Sequence, residues 1–268
     1  MQNLEKSMFT LLFALLAASC STVPIQSPSS TRIDGKTIAY AEVTVKPPRV
    51  IFIHGGGPAT MHNWGKVYNI VAENYSVFAY TRFGGGRSSQ THEPQTGMRV
   101  VTTLHRLLRQ QNLDPPYVLV GASLGGLYAN LYARKYPREV AGVVLLDPTH
   151  PRQNARLREQ GLEPNRLIAK LLKLYKNASP ARYSEVMLQD ETGKQVLQAG
   201  PFPNVPLIVL SAPNRWGKPG ENRVYNQLHR ELATMSPQGI YRAVPGGHAI
   251  PLNQPQEVVR AIYQVIGK

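Results

Sequence analysis

The sequence predicts an α/β protein in which helices cover a mostly parallel β-sheet. Strand-like apolar runs alternate with helical patterns along the 268 residues, and this alternation is typical of crossover units. Asp34-Gly35, flanked by two short strand-like runs within 31–40, predicts an antiparallel hairpin at one edge. The length fits one domain with a modest insertion, and the 42% hydrophobic content is sufficient for a large core. The predicted helices are 67–73, 98–111, 122–136, 222–235 and 257–266.

The first 31 residues have the pattern of an export signal followed by a tether. The apolar run Met8–Ala18 is too short to span a bilayer securely and ends in small residues. It leads into Leu16-Ala17-Ala18-Ser19-Cys20, which resembles a bacterial lipobox, and Cys20 is the only cysteine of the chain. We predict a signal peptide over 1–19, lipidation of Cys20, and a Ser/Pro/Thr-rich tether over 20–31. The predicted location is the bacterial envelope, as an outer-membrane lipoprotein facing the periplasm. A soluble exported protein and an uncleaved anchor are the alternatives.

The apolar run Val50–Ile53 predicts a buried strand that leads directly into His54-Gly55-Gly56-Gly57-Pro58. Glycines at the end of a strand leave backbone N–H groups open to a bound group, and acyl transfer needs two such donors for its oxyanion. Gly56 and Gly57 are both candidates for one of these donors, and the sequence leaves the choice open. A phosphate-binding loop is disfavoured because neither common glycine pattern for phosphate follows.

The strongest functional signal is Gly121-Ala122-Ser123-Leu124-Gly125, which lies between the apolar run Tyr117–Val120 and a helical pattern. A strand that turns sharply into a helix crowds the positions two before and two after the central residue, so small residues are needed there. Such a turn exposes the hydroxyl of Ser123 as a candidate nucleophile. The N–H of Leu124 is a candidate oxyanion donor. The alternative is an ordinary glycine-rich turn with a solvated serine.

A candidate base lies near the C-terminus. His248 is on a glycine-flanked loop, after a short strand-like run and before the last predicted helix. Neutral imidazole is the usual base for a serine because its pKa lies near the working pH. The histidines other than those of the two glycine-rich loops show no metal-binding spacing, so we predict neither a metal nor a cofactor. Among them, His62 and His150 are expected at the surface, with a place in the lining of the pocket as the alternative.

These three motifs together resemble the α/β-hydrolase family, over about 33–150 and 205–268. The resemblance implies an eight-stranded, mostly parallel sheet with helices on both faces, a small helical lid insertion, and a triad in the order serine, acid, histidine. The hydrolase domain is predicted over 32–268. Tyr80–Ser89 is similar to the Asp-Arg-x-Gly-x-Gly-x-Ser turn of the family, although Thr81 stands where aspartate is common. That position usually supports the turn, so the departure leaves the mechanism intact.

The triad acid departs from the common family pattern. In many members it follows the strand that here is Val205–Leu210, yet Ser211–Trp216 contains no carboxylate. The preceding strand ends in Asp147, and some hydrolases of this fold carry the acid there. We therefore predict that Asp147 accepts the imidazole N–H of His248, with a purely turn-forming role as the other interpretation. The remaining candidates are Glu221, Asp190 and Asn214.

The insertion over about 151–200 separates the two matching regions and is predicted to be the lid over the site. Its apolar residues between Leu167 and Tyr175 recur at helical spacing among basic residues. An amphipathic surface helix and a helix that lies against anionic lipid are alternatives. The net charge of +14 suits an anionic envelope surface. No zinc finger, aromatic RNA-binding pattern or basic tail occurs, so nucleic-acid binding is not predicted.

The residues and the resemblance predict a serine hydrolase that acts on small-molecule carboxylic esters through an acyl-enzyme. The glycine loop and Arg87-Ser88-Ser89 are also similar to proline iminopeptidases, which need acidic lid residues for the free amine of the substrate; here cations outnumber acids in the insertion. A non-catalytic envelope binding protein on a hydrolase scaffold is a second alternative, because of Thr81 and the missing acid after Leu210. The same triad also supports perhydrolysis or cyanohydrin cleavage, which the sequence does not exclude.

Overall fold

The computed structural model describes residues 24–25, 28–162, 176–215 and 219–267. The strands are β1 Ser29–Ile33, β2 Lys36–Val43, β3 Arg49–Ile53, β4 Val77–Thr81, β5 Tyr117–Ala122, β6 Val140–Leu146, β7 Leu207–Ser211 and β8 Gly239–Ala243. They form an eight-stranded sheet in the order β1-β2-β4-β3-β5-β6-β7-β8. The pairings of β2 with β1 and β4 are antiparallel, and the other five pairings are parallel. The predicted fold class is confirmed.

Helices cover both faces of this sheet. They are α1 Gly65–Ala72, α2 Gly97–Gln110, α3 Leu124–Lys135, α4 Gln153–Glu159, α5 Pro180–Met187, α6 Gln189–Gln198, α7 Pro219–Ala233, α8 Ile250–Asn253 and α9 Pro255–Ile266, with short 3₁₀ turns at Met61–Trp64 and Pro137–Glu139. Helices α2, α3 and α7 contribute to the core on one face, and α1 and α9 to the core on the other. The five predicted helices correspond to α1, α2, α3, α7 and α9, each within three residues at either end.

The central strands are buried on both faces because their side chains alternate between the two cores. In β3, Ile51 and Ile53 lie in the core beside α2 and α3, while Val50 and Phe52 lie in the core beside α1 and α9. Strands of this kind have no polar face, which is why they occur in the sequence as continuous apolar runs. Their carboxyl ends all reach the same edge of the sheet, and the three predicted motifs follow β3, β5 and β8 there.

The N-terminal boundary of the domain differs from the prediction. The predicted tether extends to residue 31, but β1 begins at Ser29 and pairs with β2 along its length. Ile25 is also buried in the core beside α1 and α9, and its N–H donates to Nδ1 of His62. The apolar side chain of Ile25 draws this end of the chain onto the domain. The predicted signal peptide and Cys20 lie outside the described residues.

The described part of the insertion contains α4, α5 and α6. Helix α6 is fixed to the domain by polar contacts, because its Thr192 and Gln195 accept hydrogen bonds from the N–H groups of Gly97 and Met98, at 2.9 and 2.7 Å. These contacts satisfy N–H groups in the first turn of α2 that have no partner within their own helix. The amphipathic segment expected between Leu167 and Tyr175 lies outside the described residues. Within the part that is described, no helix has the length and apolar character to cross a membrane.

Candidate active site

Ser123 occupies a strained turn between β5 and α3. Its backbone has φ 52° and ψ −122°, a conformation that costs free energy in a residue with a Cβ atom. The flanking glycines are required by close contacts. A Cβ atom at Gly121 would lie 2.5 Å from the carbonyl oxygen of Gly125, and one at Gly125 would lie 2.1 Å from that of Ile53. The turn predicted from the glycine spacing is therefore present, with its hydroxyl-bearing residue half-buried at the sheet edge.

Asp147 follows the neighbouring strand β6 at a matched position. Ala122 and Leu146 are register partners, so Ser123 and Asp147 leave the sheet side by side. The N–H of Ser123 donates to the carbonyl of Leu146 at 3.0 Å, and the carbonyl of Ser123 accepts from the N–H of Thr149 at 2.9 Å. Asp147 itself has φ 43°, so this turn is strained as well.

Asp147 and His248 are in direct contact. Nδ1 of His248 lies 2.5 Å from Oδ2 of Asp147, and the carboxylate is fully buried. A carboxylate can only accept a hydrogen bond, so Nδ1 carries the proton and Nε2 keeps its lone pair. Burial raises the pKa of Asp147, but the hydrogen bond from His248 and the charge of Arg215 outweigh burial and lower that pKa to about 2. The carboxylate is ionised at neutral pH.

Arg215, on the loop after β7, also contacts this pair. Its Nε lies 3.1 Å from Oδ2 of Asp147, and one terminal nitrogen lies 2.9 Å from Nδ1 of His248. The guanidinium also stacks 4.1 Å from the ring centre of Tyr225. Burial lowers the pKa of His248, and the positive charge of Arg215 lowers it further. The hydrogen bond to Asp147 raises this pKa, but the net effect is a pKa below the usual value of histidine. His248 is therefore neutral at neutral pH, the form that accepts a proton.

Replacing Arg215 by methionine is expected to move the acid limb of the kcat/KM–pH profile to higher pH. The imidazole must be neutral to act as a base, and loss of the nearby cation raises the pKa of His248. Activity of the variant at acidic pH then falls more than its activity at pH 8. The measurement is a pH–rate profile of Arg215→Met beside Arg215→Lys, which retains the charge. An unchanged acid limb in Arg215→Met contradicts this role.

A second histidine, His229, lies against the same carboxylate and was missed from the sequence. Its Nδ1 is 3.5 Å from Oδ1 of Asp147 and 2.7 Å from Oγ of Ser211, and its Nε2 is 2.9 Å from the carbonyl of Pro148. Burial lowers its pKa to about 4, so the ring is neutral, donating from Nε2 and accepting from Ser211. Both ring nitrogens are thus engaged inside the protein, which leaves His248 as the candidate base. Helical spacing in the sequence could have indicated that His229 is buried, because His229 lies on the same face of α7 as the buried Leu228 and Leu232.

The glycine loop after β3 packs against the Ser123 turn. A Cβ atom at Gly56 would lie 3.2 Å from the side chain of Leu124, and one at Gly55 would lie 3.5 Å from Cβ of Ser123. Leu124 is the first residue of α3, where backbone N–H groups have no partner within the helix. Gly57 has φ +62°, a conformation that favours glycine, and a Cβ atom there would meet nothing within 4 Å. The loop thus brings Gly56 to the N-terminus of α3.

The sequence match to known families accords with this geometry. Residues 48–194, more than half of the chain, match the family described as alpha/beta hydrolase fold. The chain belongs to the α/β-hydrolase family. The match includes the glycine loop, the Ser123 turn, Asp147 and most of the residues assigned to the insertion.

Relatives of this hydrolase include proteins of known and unknown role. The uncharacterized protein YqjL of Bacillus subtilis is 28% identical over 228 residues, covering 81% of this chain and 82% of YqjL. Lipase LipV of Mycobacterium tuberculosis is 37% identical over 116 residues, covering 42% of each chain. A candidate lipase from Acinetobacter baumannii has a crystal structure that matches with a TM-score of 0.71 at 19% identity, covering 90% of each chain. At that identity the structural likeness shows the fold alone.

The other acid candidates of the hydrolase have different surroundings. Asp190 is exposed and pairs with Arg158 on the insertion, and Glu221 lies in the first turn of α7. Asn214 is exposed on the loop after β7. Of the predicted acids, Asp147 is the one that the structure brings to His248.

Among the described residues, no group of three or more His, Cys, Asp or Glu side chains is placed to hold a metal ion. His150, expected at the surface, is buried, and burial lowers its pKa to about 4.

The acids of the insertion have cationic partners, which bears on the peptidase alternative. The pairs are Glu159 with Arg156, Glu185 with Arg82 and Arg182, Asp190 with Arg158, and Glu191 with Lys194. Glu185 is fully buried between its two arginines. A substrate amine would have to replace a buried guanidinium to reach it, which is unfavourable. Glu163 lies outside the described residues.

Proposed function

We propose that this protein is a serine hydrolase of carboxylic esters, with Ser123 as nucleophile, His248 as base and Asp147 as the acid that orients His248. The contact between His248 and Asp147, at the sheet edge from which Ser123 also emerges, carries this proposal. It supplies a neutral imidazole whose proton is held on Nδ1, so that Nε2 is the atom that accepts the proton of Ser123.

In the acylation step, Nε2 of His248 removes the hydroxyl proton as Oγ of Ser123 attacks the ester carbonyl carbon. The tetrahedral intermediate carries a negative charge on the former carbonyl oxygen. Backbone N–H groups of Leu124 and Gly56 stabilise this charge, and the packing of Gly56 against the Leu124 side chain supports this choice of loop donor. The intermediate collapses as the imidazolium returns the proton to the departing alcohol, which leaves Ser123 acylated.

In the second step, water attacks the acyl carbonyl while Nε2 of His248 accepts one of its protons. Collapse of the second intermediate releases the carboxylic acid and restores the hydroxyl of Ser123. The ionised carboxylate of Asp147 stabilises the imidazolium in both steps without accepting its proton, which is consistent with a pKa of about 2.

Two observations favour an ester over a peptide substrate. A named relative, LipV, is called a lipase. The buried Glu185 already balances two arginines, so it offers no open carboxylate to the amino terminus of a peptide. Both observations support an ester as the substrate of the proposed triad.

We extend the proposal to location: export, lipidation of Cys20 and anchoring to the outer membrane. Ile25 is already buried in the domain, so the five residues from Cys20 span at most about 18 Å and would hold the domain close to the lipid surface. Expression in a Gram-negative host is expected to place the wild-type protein in the membrane fraction and Cys20→Ser in the soluble periplasmic fraction. Equal partition of both proteins contradicts lipid anchoring.

The proposed chemistry is tested with the purified protein on two chromogenic substrates, p-nitrophenyl butyrate and proline p-nitroanilide. We expect turnover of the ester with kcat/KM at least about a hundredfold above that of the anilide, within the usual range of enzyme selectivity. A fluorophosphonate is expected to label Ser123, as located by peptide mass spectrometry. A protein that turns over neither substrate and remains unlabelled contradicts the proposal and favours a binding role.

A further inference from the structure

The buried side chain of Arg82 holds the glycine loop through hydrogen bonds to two of its backbone carbonyls. One terminal nitrogen donates to the carbonyl of His54 at 2.8 Å, and the other donates to the carbonyl of Gly55 at 2.7 Å. The Gly55 carbonyl also accepts from Nδ1 of His54, at 2.7 Å. Burial, together with the Arg82 and Arg182 charges, lowers the pKa of His54 well below its usual value, so this ring stays neutral. The Gly55 oxygen thus accepts two hydrogen bonds, one from Arg82 and one from the ring of His54.

This arrangement determines which way the next amide points. In a trans peptide the carbonyl oxygen and the N–H hydrogen lie on opposite sides of the C–N bond. With the Gly55 oxygen fixed toward Arg82, the N–H of Gly56 is directed away from Arg82. Gly56 itself packs against Leu124, at the N-terminus of α3. The orientation of the proposed oxyanion donor thus depends on the hydrogen bond between Arg82 and Gly55.

Arg82 is in turn held by the insertion. Its Nε and one terminal nitrogen donate to the two carboxylate oxygens of Glu185, at 2.8 and 3.0 Å. Both side chains are buried, at 3% and 0% exposure, so this bidentate pair is shielded from water. Val186, the next residue of α5, would lie 3.6 Å from a Cβ atom at Gly56. Helix α5 therefore contacts the glycine loop directly through Val186 and also holds Arg82 through Glu185.

We propose that Glu185 and Arg82 are positioning residues for the oxyanion hole, and that docking of α5 is what sets the Gly56 N–H in its working direction. Glu185 fixes the guanidinium, the guanidinium fixes the Gly55 carbonyl, and the peptide plane transfers that constraint to the Gly56 amide. The inference rests on the proposed function. It predicts that these two residues, which touch no substrate, act on kcat rather than on KM.

The test compares Arg82→Lys with a matched control, Arg182→Met. Lysine keeps the charge, but its ammonium has three N–H donors and cannot replace the four hydrogen bonds of Arg82 to Glu185 and the two loop carbonyls. Arg182 is equally buried and pairs with the same glutamate, at 3.6 Å, but donates to neither of the two loop carbonyls. We expect Arg82→Lys to lower kcat for p-nitrophenyl butyrate about a hundredfold with KM within twofold of wild type, as for loss of one oxyanion donor. Arg182→Met is expected to lower the melting temperature while kcat stays within threefold.

Binding of a transition-state analogue separates orientation from general damage. A trifluoromethyl ketone that forms a tetrahedral adduct with Ser123 is expected to bind Arg82→Lys more weakly by the same factor that kcat/KM falls. A crystal structure of this variant is expected to show a rotated 55–56 peptide. Equal losses of kcat in Arg82→Lys and Arg182→Met, or a loss of kcat without weaker binding of the analogue, overturn the inference.

Two further arms keep the test decisive. If Arg82→Lys does not unfold cooperatively, the charge-balanced double variant Arg182→Met/Glu185→Gln replaces it, with an expected tenfold loss of kcat at unchanged KM. Unchanged kcat in the double variant overturns the role of Glu185.

If the wild-type protein has no ester activity, the proposed function fails. The rate at which a fluorophosphonate labels Ser123 still reports the oxyanion hole, because phosphonylation develops negative charge on an oxygen at the same position. Equal labelling rates in wild type and Arg82→Lys then overturn the positioning inference.

Discussion

Ser123→Ala is expected to lower kcat/KM for p-nitrophenyl butyrate by at least about a thousandfold and to abolish fluorophosphonate labelling. In the proposed mechanism this change removes the oxygen that forms the acyl-enzyme, so His248 can at best assist direct attack by water. The proposed oxyanion donors remain, which is why some catalysis above the background rate is expected to persist. The measurement is initial rate at pH 8 together with labelling analysed by mass spectrometry.

The fold of Ser123→Ala is expected to be retained. Alanine, like serine, has a Cβ atom, so both residues experience the same backbone strain at φ 52°. The backbone N–H and carbonyl of residue 123 bond to Leu146 and Thr149, and the substitution leaves both of these hydrogen bonds in place. Ser30→Ala, at an exposed position of β1, is the control and is expected to keep full activity. Turnover of Ser123→Ala within tenfold of wild type excludes a serine mechanism.

The parts of the site that were predictable have local signals. Gly121 and Gly125 are required by contacts around one strand–turn–helix unit, and the glycines after β3 follow a buried strand. Continuous apolar runs indicate strands buried on both faces, and their alternation with helical patterns indicates a parallel sheet. Because parallel strands end at one edge, the convergence of the three motifs follows from the fold class.

The parts that were not predictable depend on contacts between distant segments. The pair of Arg82 and Glu185 joins residues 103 positions apart, and nothing in either local pattern indicates the other residue. Arg215 reaches Asp147 and His248 from a loop whose path is set by the packing of β7. The burial of Ile25 likewise depends on a surface formed by the folded domain, whereas the polar, Pro-containing stretch around it predicts a tether up to residue 31. Sequence periodicity carries no information on such contacts.

Asp147→Asn is expected to lower kcat for the ester by about ten-thousandfold, the loss known for the equivalent change in a serine protease triad. The amide can turn its NH₂ group toward Nδ1 of His248, which then accepts rather than donates. The remaining proton moves to Nε2, and the atom that should receive the Ser123 proton no longer has a lone pair. The positive charge that the proposed mechanism places on His248 during attack also loses its buried counter-ion. The measurement is kcat at pH 8, where wild-type Asp147 is ionised.

The same change removes the buried partner of Arg215, so stability must be measured beside activity. Side-chain exposure is 7% for Arg215 and 0% for Asp147, and breaking a buried ion pair costs about 3 kcal/mol of unfolding free energy. The double variant Asp147→Asn/Arg215→Met removes both charges and is expected to recover part of this stability without recovering kcat. That separation matters because a purely turn-forming role of Asp147 predicts the reverse result, in which stability is lost and kcat is kept.

Asp190→Asn, in an exposed ion pair, is the control and is expected to keep kcat within twofold. If Glu221→Gln lowers kcat a thousandfold while folded Asp147→Asn loses less than tenfold, the acid of this hydrolase is Glu221.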